Sequence, residues 1–354
     1  MTRIYLDHAA TTPIAPAARA AMANALETWA NPSSPHREGR TARAALENAR
    51  ERIGAALGWE HALVFTSGVT DAAAIALGRG TRPVIVSAVE HAAVLGARTD
   101  AIVAPVREDG IVDIDALQGL LAGHPGAIVA IQHVNSETGV IQPVDAVQAL
   151  VAAAGGVLFC DAAQSGGKLA LPAADMVAVS AHKLGGPPGI GALLVRDLGL
   201  LSPWGQGQER GYRPGTENLP AVLGFAAALE GGSGTEEHAA WRTMLEEALR
   251  AEGASVIAGL TPRSPLIGAY AMPGMSAAAQ LMRLDALGFA VSAGSACSSG
   301  SMRPSHVLAA MRVPEDVAAR TIRVSFGWST TEDEVHRFIA AWIALAREAR
   351  RRAA

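Results

Sequence analysis

Short, almost unbroken apolar runs alternate with alanine-rich stretches of helical length through the first two thirds of the chain. The runs Ala62–Phe65, Pro83–Ser87, Ala101–Pro105, Ala127–Gln132, Gly156–Cys160, Met176–Ser180 and Gly191–Val195 read as strands. Helix-length segments such as Val69–Leu77, Ile114–Leu121 and Val144–Ala153 lie between most of them. Strands separated by helices imply crossover connections and a mostly parallel sheet. Runs that are apolar at nearly every position are expected where helices cover both faces of the sheet.

The pattern changes near residue 230, where Gly231–Gly234 interrupts it. A long helix is predicted over Glu236–Ala251. Shorter strands follow near Ser255–Ala258, Ile267–Ala271 and Thr321–Phe326, and a last helix spans about Thr331–Arg350. This stretch reads as a second, smaller α+β unit. Its terminal Arg347–Arg352 run suits a solvated helix end, where cations meet the favourable pole of the helix dipole; docking to a partner is the other reading of that run.

The chain has 354 residues, long for one domain. Half are hydrophobic and 18% are charged, enough apolar surface for a large core and against wholesale disorder. A net charge of −4 lacks the basic excess of a nucleic-acid binder. No apolar run reaches the length of a membrane span, and the start, MTRIYLDHAATTP, has no signal-type hydrophobic region. A cytoplasmic location is therefore expected. Two cysteines, Cys160 and Cys297, leave no disulfide framework and no four-cysteine zinc site, and no metal site is predicted. Two lysines, Lys168 and Lys183, stand against 27 arginines. Any covalent amine chemistry must come from one of those two.

Several strand ends carry candidate chemistry. Phe65-Thr66-Ser67-Gly68-Val69-Thr70-Asp71 follows a strand and opens a helix, so its N–H groups could cradle a phosphate; the same residue types serve as ordinary caps. Asp161 ends the strand before Ala162-Ala163-Gln164, where ligands of open α/β sheets sit, or it caps the next turn. Ser180-Ala181-His182-Lys183 precedes a Gly/Pro-rich loop, and Lys183 is a candidate Schiff-base residue. Lys168, in GGKLALP, reads as a solvated amine on a surface turn. His91 lies beyond another strand end. Arg323 sits in an apolar strand, where its planar fork suits a substrate carboxylate, or else it faces water from an edge. Cys297 lies among small polar residues, as an exposed reactive thiol would, whereas Cys160 reads as buried and inert. A phosphate cup, a strand-end acid, a lysine and a strand arginine together suggest pyridoxal 5′-phosphate (PLP).

At this point the chain resembles the cysteine desulfurases of the PLP-dependent class V aminotransferase superfamily. The likeness rests on YLDHAATTP (5–13), NPSSPHREG (31–39), FTSGVTD (65–71), EHAAVL (90–95), HVNSETGVIQP (133–143), DAAQSGGK (161–168), SAHKLGGPPGIG (180–191), GQERGYRPGTEN (207–218), SAGSACSSGS (292–301) and IRVSFGWSTTEDEV (322–335). Each is weak alone; ten in this order are specific. The resemblance implies an aspartate-aminotransferase-like fold, with a large PLP-binding α/β domain over 14–235. Residues 1–13 and 236–354 would form a small α+β domain carrying the cysteine loop, which resembles the long, mobile loop of the group I enzymes.

By the same resemblance, Lys183 carries the cofactor and Asp161 pairs with its pyridine nitrogen. His91 stacks on its ring and moves protons, and Gln164 lies near its phenolic oxygen. Gly68, Val69, Thr70, Ser180 and His182 hold its phosphate, and Thr216 does so from the other subunit of a homodimer. Asn135 and Arg323 hold the substrate carboxylate, and Cys297 accepts the sulfur. The implied reaction takes sulfur from L-cysteine, releases alanine and leaves a persulfide. The persulfide passes to a protein acceptor, an iron–sulfur scaffold or a sulfur carrier.

The chain departs from the family at His8, where Asn is usual. It also ends soon after its last predicted helix, without the extension by which longer housekeeping relatives dock a scaffold protein. A class V transaminase or a selenocysteine lyase would share the cofactor site, but a transaminase needs no thiol at 297. Intact Lys183, Asp161, His91 and Cys297 argue against a silent relative that only carries sulfur.

Overall fold

The computed structural model describes residues 3–27, 29–232, 236–294 and 304–353. Twelve strands are present among them: β1 (Ile4–Tyr5), β2 (Ala62–Thr66), β3 (Val84–Ser87), β4 (Ile102–Ala104), β5 (Ile128–Gln132), β6 (Val157–Asp161), β7 (Met176–Ser180), β8 (Gly191–Val195), β9 (Ser255–Val256), β10 (Ile267–Ala271), β11 (Phe289–Ala290) and β12 (Thr321–Ser325).

Seven strands form the main sheet, in the order β2-β8-β7-β6-β5-β3-β4. The pairs from β4 through to β7 are parallel, and β8 runs antiparallel to both of its neighbours. The apolar runs of the sequence find their reason here. Along β5, Val129 and Ile131 face one packed layer while Ile128 and Ala130 face the other. Successive side chains of a strand point to opposite faces, so a strand sandwiched between helices must be apolar at every position. Helices Arg37–Leu57, Val144–Ala153 and Leu219–Glu230 cover the first face, through residues such as Leu46, Val147 and Phe225. Helix Val69–Ala76 covers the second.

A separate core gathers the chain ends. Ile4 and Leu6 pack with Tyr270, Ile322 and Val324, and with Phe338 and Trp342 of helix Glu332–Ala353. Strands β9, β10 and β12 form an antiparallel sheet over helix Glu236–Ala251, and β1 pairs with β11. The terminal arginines are not all solvated singly, because Arg347 and Arg350 both bind Glu252. No helix among the described residues is long and apolar enough to cross a membrane.

Candidate active site

The carboxyl ends of β2, β3, β5, β6 and β7 line one edge of the main sheet, joined by the amino end of β8. Asp161 is the last residue of β6 and is buried. Its Oδ1 accepts from the N–H of Ala163 at 2.8 Å, so it caps the next turn while facing the site. Burial raises its pKa to about 6, against the Ala163 N–H and nearby Lys183, which pull it down.

Strand β7 ends at Ser180, and one tight turn, Ala181–Lys183, follows. Lys183 Nζ donates to the carbonyl oxygens of Ala9 at 2.6 Å and Ala10 at 2.7 Å. Burial, then the charge of Arg323, lowers its pKa to about 8. Gln164 Nε2 donates to the same Ala9 oxygen at 2.9 Å, and its buried Oε1 has no partner.

These bonds reveal a hub that sequence reading did not assign, the turn Asp7–Thr12. Asp7 Oδ1 lies 2.8 Å from Arg323 Nη2. Thr11 Oγ1 lies 3.2 Å from His182 Nδ1, and Thr12 Oγ1 donates to the Lys183 carbonyl at 3.0 Å. Ala9 N–H donates to Ser325 Oγ at 2.9 Å, which ties the turn to β12. His8 is buried beneath it, with Nε2 3.3 Å from Thr330 Oγ1. It packs on Gly327 so closely that a Cβ there would lie 2.1 Å from His8 Nδ1. Burial, then the charge of Lys168, lowers the His8 pKa to about 4.

Lys168 corrects the sequence reading. It is half-buried, and it acts electrostatically on His8 and His182. Burial, then Lys183, brings its own pKa down to about 7. GGKLALP does begin in a turn, but that turn folds inward, so both lysines of the chain share one neighbourhood.

Arg323 is likewise no edge residue facing water. It is buried, and its Nη1 donates to Ser136 O at 2.9 Å while Nε has no partner. Asn135, beside Ser136, has Oδ1 filled by the N–H groups of Glu137 and Thr138, both at 2.9 Å. Its Nδ2 donates one proton to Val89 O at 3.2 Å and keeps another for a ligand. His91 precedes the short helix Ala92–Leu95, and its Nδ1 accepts from Ala93 N–H at 3.1 Å. The neutral ring therefore carries its proton on Nε2. Its ring is partly open to solvent, yet packing around it and the charge of Lys183 lower its pKa.

At the other end, Gly68 caps helix Val69–Ala76 with φ +139°, a backbone shape that favours glycine. A Cβ built there would lie 3.5 Å from Ser180 Oγ, which places the Ser180 hydroxyl beside the helix start. The N–H groups of Val69 and Thr70 have no partner within their helix. Thr216 stands exposed after Gly215, and no hydrogen bond joins it to the Gly68–Thr70 turn among the described residues. Cys297 lies outside the described residues.

These groups fit PLP. Lys183 offers an amine, Asp161 a buried acid and Gln164 an unused acceptor. The Gly68–Thr70 turn with Ser180 offers a helix start for a phosphate. A sheet edge that gathers an amine, an acid and an arginine is the site of an amino-acid enzyme using such a cofactor.

The family description Aminotransferase class-V matches residues 4–338, and the chain belongs to that family. It is 37% identical to a cysteine desulfurase of Cereibacter sphaeroides, over 96% of this chain and 94% of the relative. A solved NifS-like protein of Rickettsia africae superposes with a TM-score of 0.86 at 28% identity, covering 97% of this chain and 99% of its own. A solved structure of SspA in complex with cysteine superposes with a TM-score of 0.80 at 29% identity, over 93% of this chain and all of its own.

Proposed function

We propose that this protein is a PLP-dependent cysteine desulfurase that moves sulfur from L-cysteine to Cys297. The observation that carries the reading is the turn Asp7–Thr12, on which Lys183, Gln164, His182 and Arg323 all converge. Full-length likeness to a cysteine desulfurase supports the substrate.

In this reading Lys183 would hold the cofactor, Asp161 would pair with its ring nitrogen, and Gly68, Val69, Thr70, Ser180 and His182 would hold its phosphate. Bound PLP draws electrons from the substrate Cα and loosens the bonds around it. Arg323 and the free proton of Asn135 Nδ2 grip the carboxylate of cysteine. Freed Lys183, with its pKa brought to about 8, takes up and returns a proton near neutral pH. His91, with its proton on Nε2, would lie beside the cofactor and move protons at that atom. The thiolate of Cys297 attacks the substrate sulfur; the new S–S bond forms as the substrate C–S bond breaks. The substrate carbon keeps the electron pair and takes a proton. The balance is L-cysteine plus a thiol giving L-alanine plus a persulfide.

Residues 14–235 make up the cofactor domain of this proposal, and 1–13 with 236–354 the smaller one. The enzyme works as a cytoplasmic homodimer in which Thr216 of each chain serves the other's phosphate, which accords with its exposure. A protein acceptor then collects the sulfur.

The test is to give purified protein L-cysteine and a reductant, and to measure sulfide and alanine together. Equal yields, both lost in Cys297→Ala while the cofactor's absorbance stays, are expected. Full activity in Cys297→Ala would transfer the reading to a transaminase or a lyase that eliminates sulfide directly.

A further inference from the structure

Two neighbouring residues outside the site described so far close a ring of hydrogen bonds around its edge. His306 Nε2 lies 2.9 Å from the carbonyl oxygen of Glu90. A carbonyl only accepts, so this nitrogen carries the ring proton. The next carbonyl back, that of Val89, accepts from Asn135 Nδ2 at 3.2 Å. Asn135 Oδ1 accepts from the N–H of Glu137 at 2.9 Å. Glu137 Oε2 accepts from Ser305 Oγ at 2.5 Å. Ser305 and His306 are consecutive, and the ring is complete.

The ring spans distant parts of the chain. The Ser305–Glu137 bond bridges 168 positions and the His306–Glu90 bond 216. Val89, Glu90, Asn135, Glu137 and Ser305 are all buried, so each of these bonds is costly to leave unmade. Three functional groups hang on it. His91 follows Glu90 directly, Asn135 is a member, and Arg323 donates to Ser136, between Asn135 and Glu137. Ser305 stands eight positions after Cys297 in the sequence.

We propose that Glu137 and His306 are positioning residues, whose ring holds His91 and the Asn135–Arg323 fork in register with Ser305. The proposal rests on the desulfurase reading. A carboxylate seated on the fork presses on the same ring that fixes Ser305, so substrate binding is felt eight positions along the sequence from Cys297.

A closed ring has a measurable property: one cut opens it, and a second cut adds little. In PLP-loaded protein, Glu137→Ala and His306→Ala are each expected to lower kcat/KM for cysteine about tenfold, the scale of one buried hydrogen bond. The double variant should fall in the same range. Losses that multiply to about a hundredfold would overturn the ring, since independent contacts add in free energy. Glu137→Gln keeps an acceptor for Ser305 and should stay within about threefold of wild type.

A second readout needs no turnover. Iodoacetamide alkylation at Cys297 is followed by mass spectrometry with and without L-alanine. Alanine should change the wild-type rate and leave the rate in each Ala variant unchanged within about twofold. No alanine effect in wild type would also overturn the proposal. Should Glu137→Ala fail to take up cofactor, Ser305→Ala cuts the same bond, along with the cap its hydroxyl gives Leu308 N–H, and carries the same expectations. A wild type that forms no sulfide defeats the desulfurase reading instead, and the alkylation experiment then judges the ring.

Discussion

The amine of Lys183 lies 2.6 Å from the carbonyl oxygen of Ala9, 174 positions earlier in the chain. It also donates to Ala10 O at 2.7 Å. Burial, then Arg323, lowers its pKa against the pull of Asp161 and Asp7, and the balance lies at about 8. The residue is thus poised to hold or release a proton near neutrality. An arginine at this place would keep the charge but could neither form the covalent link nor deprotonate. Lys183→Arg should lose the cofactor's absorbance band, and turnover should fall by at least about 10²–10⁴-fold. Visible spectra and sulfide release check both.

The same depressed pKa makes the cofactor-free protein's stability depend on pH. Between about pH 8 and 10.5 the unfolded lysine still holds its proton while the folded one has lost it. The unfolded state binds more protons there, so stability rises with pH across that window. Melting curves of cofactor-free wild type should gain on those of Lys183→Met over this range. Parallel curves would mean that Lys183 titrates normally.

His8 should govern acid sensitivity with the same sign. Its pKa falls from 6.5 to about 4, so from pH 6.5 downward the unfolded chain gains a proton that the fold refuses. Stability is lost as the pH drops through this window, by up to about 3 kcal/mol from this group. His8→Asn removes the slope, and its denaturation midpoint should change less between pH 6.5 and 4 than that of wild type.

Arg323 has its Nη2 on Asp7 and its Nη1 on Ser136, with Nε free. Arg323→Lys cannot reproduce three directions at once. A loss of about 1.5–3 kcal/mol of carboxylate binding, or about 10- to 150-fold in kcat/KM, is expected. Asp7→Asn should disturb KM more than the cofactor's absorbance, since Asp7 meets the arginine and not Asp161.

Glu209 supports the loop that bears Thr216. Its carboxylate takes Arg50 in two bonds, at 2.9 and 3.0 Å, and the N–H of Phe65 at 2.8 Å. Its side chain is 1% exposed. Glu209→Ala leaves Arg50 with only Glu47 and the Leu63 carbonyl, and a buried N–H unpaired, a loss of about 1.5–3 kcal/mol. Chemical denaturation would reveal it. A change under about 1 kcal/mol would mean that water replaces the carboxylate.

The main sheet was legible because its strands are buried on both faces and read as apolar runs; β7 and β8 fall where the runs do. Helix Arg37–Leu57 went unassigned for the opposite reason. Its buried stripe, Ala42, Leu46, Ala49, Ile53 and Leu57, is diluted by small alanines among arginines and glutamates. Asp161, Gln164, His91, Asn135, Lys183 and Arg323 were legible as motif residues. The hub was not, because Ala9 and Ala10 act through backbone oxygens that any residue possesses. Lys168 misled because a turn sequence says nothing about which way the turn faces.

The meeting of Lys168 with Lys183 has a practical consequence. Every ε-amine of this protein lies in one neighbourhood, and its outer surface carries its positive charge on arginine. Amine-directed chemistry, whether acetylation, glycation or a fluorescent ester, meets no lysine of this sequence outside that neighbourhood. A label on either amine reports on the pocket, and cofactor occupancy can be read as protection of Lys183.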